Sequence, residues 1–67
     1  MKITVMGLGK IGLPLAVQFA SKGHFVQGVD INPKTVELVN AGLEPFPGEL
    51  DLQERLREQV ARGRLSA

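Results

Sequence analysis

Six residues near the start of the chain have the types and spacing that bind phosphate groups through backbone N–H donors. They form the pattern G-x-G-x-x-G: Gly7, Leu8, Gly9, Lys10, Ile11 and Gly12. The first glycine permits a sharp strand-to-helix turn, the second lets backbone approach a pyrophosphate, and the third lets the helix pack closely on the strand. We expect the backbone of Lys10 and Ile11 to face the phosphates, with the Lys10 side chain in solvent. The alternative is a structural turn that binds no ligand.

An acidic residue follows at the distance expected for the ribose-binding part of a dinucleotide site. Asp30 lies 18 residues after Gly12 and 23 after Gly7, which brackets the usual gap of about 20. A carboxylate there accepts hydrogen bonds from the adenosine ribose and repels a 2′-phosphate, so the sequence predicts NAD as the cofactor. Lys34 is included in the predicted cofactor site, where its charge would partly neutralise that carboxylate. The alternative for Asp30 is a helix-capping acid beside Asn32.

The elements that must position these residues alternate between strands and helices. Periodicity, capping residues and glycine stops predict strands at 2–6 and 25–29, helices at 11–22, 33–41 and 51–62 (the last beginning at Glu49 or Asp51), a loop at 43–48, and a strand beginning at 64–67. This β-α-β-α-loop-α order predicts an α/β fold with a Rossmann-type doubly wound parallel sheet. We expect residues 1–67 to be the N-terminal portion of such a domain, truncated at the third strand.

An incomplete sheet has consequences for burial. Parallel strands are normally covered on both faces, so we expect that Ile3, Val5, Val26 and their neighbours cannot all be buried. The helix at 51–62 should bury a narrow stripe on one face, and acid-before-base spacing predicts two ion pairs on the other. The stripe is Leu52, Leu56 and Val60, and the pairs are Asp51–Arg55 and Glu58–Arg62.

Composition excludes several kinds of site and partner. Eight Lys and Arg against seven Asp and Glu give a net charge of +1, so no strong field favours nucleic acid or a membrane surface. The chain has no cysteine and one histidine, and His24 is expected in a surface turn. Glu44 and Glu49 have no partner for a metal or acid–base site, so we predict no metal site and no catalytic residue here. We expect the chain to be cytoplasmic.

These motifs resemble the N-terminus of the UDP-glucose/GDP-mannose dehydrogenases, the nucleotide-sugar 6-dehydrogenase family, over the whole chain. The resemblance rests on MKITVMGLGKIGLPLA, KGHFVQGVDINPKTVELVNAG, a proline loop and a helix ending in GRL. The first block is shared with 3-hydroxyisobutyrate and 6-phosphogluconate dehydrogenases, which remain an alternative, as does a non-catalytic nucleotide-binding or interaction module. VDIN, VELVNAG and the Pro-Gly loop favour the nucleotide-sugar family, and GLGKIGLPLA leans toward its UDP-N-acetylmannosamine branch.

Two positions depart from the family pattern. Many members carry an aromatic residue at the position of Lys10, and their loop reads Glu-Pro-Gly-Leu where this chain has Phe46-Pro47-Gly48-Glu49-Leu50. The family's basic residue near the ribose often lies one place after Lys34.

The resemblance implies an enzyme that oxidises a UDP-sugar C6 alcohol to the carboxylate with two NAD⁺, and that forms homo-oligomers. In the family a downstream cysteine carries the covalent intermediates. This chain would hold part of the NAD site and none of that chemistry.

Overall fold

The described part of the chain forms three strands and three helices in the predicted order. In the computed structural model, residues 1–46 and 51–67 are described. The elements are β1 (Lys2–Met6), α1 (Gly12–Ser21), β2 (Phe25–Val29), α2 (Pro33–Asn40), α3 (Leu52–Ala61) and β3 (Leu65–Ser66). The predicted loop at 43–48 is described only to Phe46, and a helix start at Glu49 lies outside the described residues.

The strands form one parallel sheet with β2 in the centre. β1 pairs with β2 along its whole length, from Lys2 opposite Phe25 to Met6 opposite Val29. β3 adds to the other edge of β2, with the order β1-β2-β3. This is the strand order predicted for a Rossmann-type sheet. Among the described residues, no strand pairs with the outer edge of β1.

The helices cover one face of this sheet. Val5 and Val26 are buried and Ile3 is half-buried, so the three residues share the covered face. The opposite face of β1 and β2 is exposed, and it carries Met6, Phe25 and Val29. The expectation that these residues and their neighbours cannot all be buried is therefore confirmed. The exposed residues are the neighbours, because side chains alternate between faces along a strand.

The core lies between that face and the helices. Within residues 1–46 and 51–67 it contains eleven buried hydrophobic residues: Val5, Leu8, Leu13, Ala16, Val17, Ala20, Val26, Val39, Leu52, Leu56 and Leu65. α1 contributes positions i, i+3, i+4 and i+7 from Leu13, which is the spacing of one helix face. Leu8 is the member of this core that comes from a loop and not from a helix or strand.

Glycine and proline set the helix boundaries. Asn32 caps α2 by accepting a hydrogen bond from the Lys34 N–H at 2.9 Å, and Pro33 is the first helical residue. Gly23 and Gly42, which follow α1 and α2, have φ values of 99° and 76°. These left-handed conformations end a helix most readily at glycine, so the predicted helix ends are confirmed.

α3 differs from its prediction in two details. Gln59 is buried together with Leu52 and Leu56, whereas Val60 is half-buried. Arg62 and Glu58 form an ion pair at 2.8 Å, but among the described residues Asp51 forms none. The predicted pairing of Asp51 with Arg55 is wrong because Asp51 has φ 69°, which places its side chain outside the regular helix face.

Candidate functional site

The turn after β1 is fixed to the neighbouring strand. Gly7 has φ 91°, a conformation that only glycine adopts readily. Its N–H donates to the carbonyl oxygen of Val29 at 2.6 Å, so the chain leaves β1 while still bonded to the end of β2. The predicted loop therefore begins at the carboxyl edge of the parallel sheet, where ligands of such sheets bind.

The third glycine of the pattern allows α1 to begin directly beside this turn. A Cβ atom on Gly12 would overlap the carbonyl oxygen of Gly7 and lie 2.9 Å from its carbonyl carbon. Both groups are backbone, so neither has a flexible side chain that could move aside. Gly12 thus brings the amino end of α1 against the loop, as the fingerprint predicts.

The middle of the loop presents backbone donors that the protein does not use. The Leu13 N–H donates to the Gly9 carbonyl at 3.0 Å, which closes the first turn. Four backbone N–H groups just before Leu13 donate to no protein acceptor within the described ranges: those of Gly9, Lys10, Ile11 and Gly12. A Cβ on Gly9 would meet nothing within 4 Å. The site therefore fits a phosphate, because it combines free donors, open space and the positive end of a ten-residue helix.

Leu8 is positioned differently from the rest of the loop. Its side chain is fully buried, and it lies over Gly28 of β2, where a Cβ atom would approach two Leu8 carbons at 2.7 Å. The Leu8 N–H donates to Asp30 Oδ2 at 2.9 Å. This donor is already occupied, so any contact of Leu8 with a cofactor stays a prediction.

Asp30 links the loop to the turn after β2. Its Oδ2 accepts from Leu8 and its Oδ1 from the Asn32 N–H, each at 2.9 Å. The hydrogen bonds from the Leu8 and then the Asn32 backbone lower the pKa of Asp30 below its usual value, against a smaller opposing effect of desolvation. A carboxylate has about four acceptor sites, so roughly two remain for ribose hydroxyls. Asp30 does not cap α2, because Asn32 does.

The two lysines of the predicted site are exposed. The Lys10 side chain lies in solvent, as expected, and Lys34 contributes its N–H to the Asn32 cap. Among the described residues, neither lysine forms an ion pair with Asp30. A groove of about 150 Å³, lined by Met6, Gly7, Val29, Asp30 and Ile31, adjoins the loop.

Gly28 is the residue of this region that sequence reasoning missed. The prediction placed it in a strand and gave it no role. A glycine inside a strand indicates a bulge or a close approach by another part of the chain, and this signal was present in the sequence.

The other titratable residues near this sheet form no metal-binding cluster in the part of the chain that the structure describes. No group of three or more His, Cys, Asp or Glu residues there is placed to hold a metal. His24 precedes β2 at the other end of the sheet and packs edge-on against Phe19, with ring centroids 6.4 Å apart. Within residues 1–46 and 51–67, no helix has both the length and the hydropathy needed to span a membrane.

Comparison with known proteins identifies relatives over almost the whole chain. It is 42% identical over 65 residues to the UDP-N-acetyl-D-mannosamine dehydrogenase of Pyrococcus horikoshii, covering 97% of this chain and 15% of the relative. The Salmonella typhimurium enzyme of the same name is 55% identical over 52 residues, covering 72% of this chain and 12% of the relative. The chain thus spans about one seventh of these relatives or less.

A solved structure has the same fold as this chain. GDP-mannose dehydrogenase from Pseudomonas aeruginosa, solved as a ternary complex, superposes with a TM-score of 0.94 at 36% identity, covering 98% of this chain and 15% of that one. The family model for the NAD-binding domain of the UDP-glucose/GDP-mannose dehydrogenases matches residues 1–67. The family match therefore favours the nucleotide-sugar dehydrogenases over the alternative of a 3-hydroxyisobutyrate or 6-phosphogluconate dehydrogenase. The chain belongs to the UDP-glucose/GDP-mannose dehydrogenase family, within its NAD-binding domain.

Proposed function

We propose that this chain binds NAD through the loop at residues 7–12 and Asp30, as part of an oxidoreductase that converts a UDP-sugar C6 alcohol to the carboxylate. The observation that carries the proposal is the set of four unused N–H donors around Gly9, at the amino end of α1. Their arrangement fits a pyrophosphate, and the family's domain is a NAD-binding one.

Each residue of the proposed site has a distinct part. The N–H groups of Gly9, Lys10 and Ile11 donate to the pyrophosphate. Together with the Gly12 N–H they form what we call the N–H cradle. Gly7 shapes the turn from β1, and Leu8 supports the loop from the sheet side. These contacts hold the cofactor through backbone atoms, which fits an exposed Lys10 side chain.

Asp30 selects the form of the cofactor. Its lowered pKa keeps the carboxylate ionised near neutral pH, so it accepts hydrogen bonds from ribose hydroxyls and repels a 2′-phosphate. Lys34 is exposed in the first turn of α2, four residues after Asp30, and its positive charge reduces that repulsion without reversing it. When bound, NAD supplies the hydride acceptor for the oxidation, and the residues named here bind and orient it.

The substrate is proposed from the relatives. The identities to three UDP-N-acetyl-D-mannosamine dehydrogenases are 42%, 45% and, over 52 residues, 55%, whereas those to the compared GDP-mannose dehydrogenases are 36–40%. This difference favours a UDP-N-acetylmannosamine-type sugar over GDP-mannose. We further propose a cytoplasmic homo-oligomer that has no nucleic-acid or membrane partner. The net charge of +1 supports that last point, because it provides no strong field for either partner.

Isothermal titration of the protein expressed from the full reading frame that carries these residues, with NAD and NADP, tests the cofactor site. We expect binding of NAD in preference to NADP. Gly9→Val, whose side chain would fill the open space of the cradle, should abolish binding, whereas Gln18→Ala on the exposed face of α1 should leave it unchanged. Preference for NADP, or binding unaffected by Gly9→Val, would refute the assignment.

A second assay tests the substrate. The full reading frame that carries these residues should reduce NAD with UDP-N-acetylmannosamine, followed by NADH absorbance, and GDP-mannose serves as the comparison. Turnover of GDP-mannose alone would move the protein to the other branch of the family.

A further inference from the structure

Three consecutive residues, the last two of β2 and the one directly after it, hold the loop after β1. Gly28 leaves the space that the Leu8 side chain fills, Val29 accepts the Gly7 N–H at 2.6 Å, and Asp30 accepts the Leu8 N–H at 2.9 Å. The last two contacts are hydrogen bonds. The contact between Gly28 and Leu8 is steric. The G-x-G-x-x-G pattern does not specify it, because Gly28 lies outside the pattern.

The space over Gly28 is narrow. A Cβ atom there would lie 2.7 Å from both Leu8 Cδ atoms and 3.1 Å from Cγ. Cβ atoms essentially never approach other atoms within 3.0 Å, and ordinary contact begins at 3.4 Å. An alanine at position 28 would therefore displace the end of Leu8 by about 0.3 to 0.7 Å.

Leu8 cannot absorb that displacement by turning into solvent, because it is fully buried. Protein interiors are close-packed, so a displaced side chain transmits the shift to its own backbone. For Leu8 that backbone is the N–H bonded to Asp30, followed directly by Gly9. A change in β2 thus reaches the N–H cradle through a single side chain.

We propose that Gly28 is a positioning residue of the cofactor site: by admitting Leu8 beneath the loop, it sets the height of the N–H cradle above the sheet and its distance from Asp30. This inference rests on the proposed NAD-binding function. It assigns a role in binding to a residue that touches no part of the cofactor. It also gives a binding reason for glycine in a strand, where this residue is otherwise unfavourable.

A double-mutant cycle in the protein expressed from the full reading frame that carries these residues, selectively labelled with ¹⁵N-leucine, titrated with NAD and followed by amide chemical shifts, tests the proposal. Gly28→Ala should weaken NAD binding about tenfold, because sub-ångström displacement of binding groups has large effects. It should also shift the Leu8 amide resonance, which reports the bond to Asp30. In Gly28→Ala/Leu8→Ala the steric conflict is absent, so this variant should bind NAD as Leu8→Ala does.

Val26→Ala on the same strand is the control for lost stability. Val26 is buried on the covered face, pairs with Ile3 and donates its N–H to the Arg64 carbonyl, so this variant should lose stability while the folded protein keeps its NAD affinity. If Gly28→Ala fails to fold, the double variant decides: recovery of folding and of the Leu8→Ala affinity supports the proposal, and no recovery overturns it.

The outcomes separate the two proposals. A parent protein, expressed from the full reading frame, whose spectrum does not respond to NAD overturns the proposed function, and the inference with it. A parent that binds, together with Gly28→Ala that binds equally well, overturns only the role of Gly28.

Discussion

Replacing Gly12 by alanine should destabilise the fold strongly, because the new Cβ would overlap the Gly7 carbonyl. Overpacking by one carbon typically costs about 1–3 kcal/mol where side chains can yield. Here the obstructing atoms are the backbone carbonyl of Gly7, which cannot rotate away as a side chain can, so we take the upper end, about 3 kcal/mol. Alanine is the better helix former by up to about 1 kcal/mol, which leaves a net loss of at least about 2 kcal/mol. For a chain of this size that corresponds to a fall in Tm of roughly 8–16 °C.

Gly9→Ala is the matched control for this substitution. It makes the same chemical change three residues away, at a position where a Cβ atom meets nothing within 4 Å and φ is not positive. Its free energy of unfolding should stay within about 0.5 kcal/mol of the parent. Urea and thermal unfolding followed by far-ultraviolet circular dichroism measure both variants. Equal stability of Gly12→Ala and Gly9→Ala would refute the packing argument.

Four further predictions concern the ribose acid (two of them), the exposed sheet face and the surface of α3. Asp30→Asn replaces one acceptor oxygen with a donor, so it should lose one loop hydrogen bond and narrow the preference for NAD over NADP in parallel titrations; an unchanged preference would contradict this role. In the parent, the lowered pKa of Asp30 means that its contribution to stability is complete above the unfolded value of about 3.9 and is lost as pH falls through the lower folded value, which acid titration of the Leu8 amide shift would follow. Phe25→Ser should reduce self-association in sedimentation experiments without unfolding, whereas Val26→Ser should unfold the chain, because Phe25 is 56% exposed and Val26 3%; the reverse order would show that the sheet faces are misassigned. Glu58→Gln should change the free energy of unfolding by less than about 0.5 kcal/mol in urea titrations, since both partners of its ion pair are more than half exposed; a loss above about 1 kcal/mol would mean that the pair is part of a larger network.

The sequence predicted the elements well where glycine, proline and a capping residue mark their ends. Asn32 and Pro33 define the start of α2, and glycines with positive φ follow each described helix. These residues act through their own backbone preferences, which do not depend on the rest of the fold. For that reason the strand and helix bounds agree with the predicted ones to within a residue or two.

Features that depend on packing between elements could not be predicted as well from the sequence. Ile11 and Leu15 are apolar positions in the predicted α1 segment, yet they are 85% and 42% exposed. Periodicity identifies a helix with one polar face, but it does not reveal how much of the apolar remainder a neighbouring element covers. The same limit hid the contact of Gly28 with Leu8, because that contact joins residues 20 positions apart through the shape of one cavity.

The candidate site also combines features that the sequence could predict with one that it could not. The glycine spacing and the position of Asp30 could be predicted because each glycine answers a local geometric need and the acid follows the next strand. The hydrogen bond from the Leu8 N–H to Asp30 could not, since it requires the register of β1 on β2.

The attachment of β3 bears on the order in which the structure opens. Asn40, at the end of α2, accepts from the Ala67 N–H at 2.8 Å and donates to its carbonyl at 2.9 Å. One amide side chain thereby supplies both bonds that a neighbouring strand would make. β3 itself pairs with β2 at two positions, whereas β1 pairs with β2 at five, so fewer backbone contacts hold β3 to the sheet. In native-state hydrogen exchange, β3 should therefore open by partial unfolding, at lower free energy than the β1–β2 ladder, which exchanges only when the whole fold is lost.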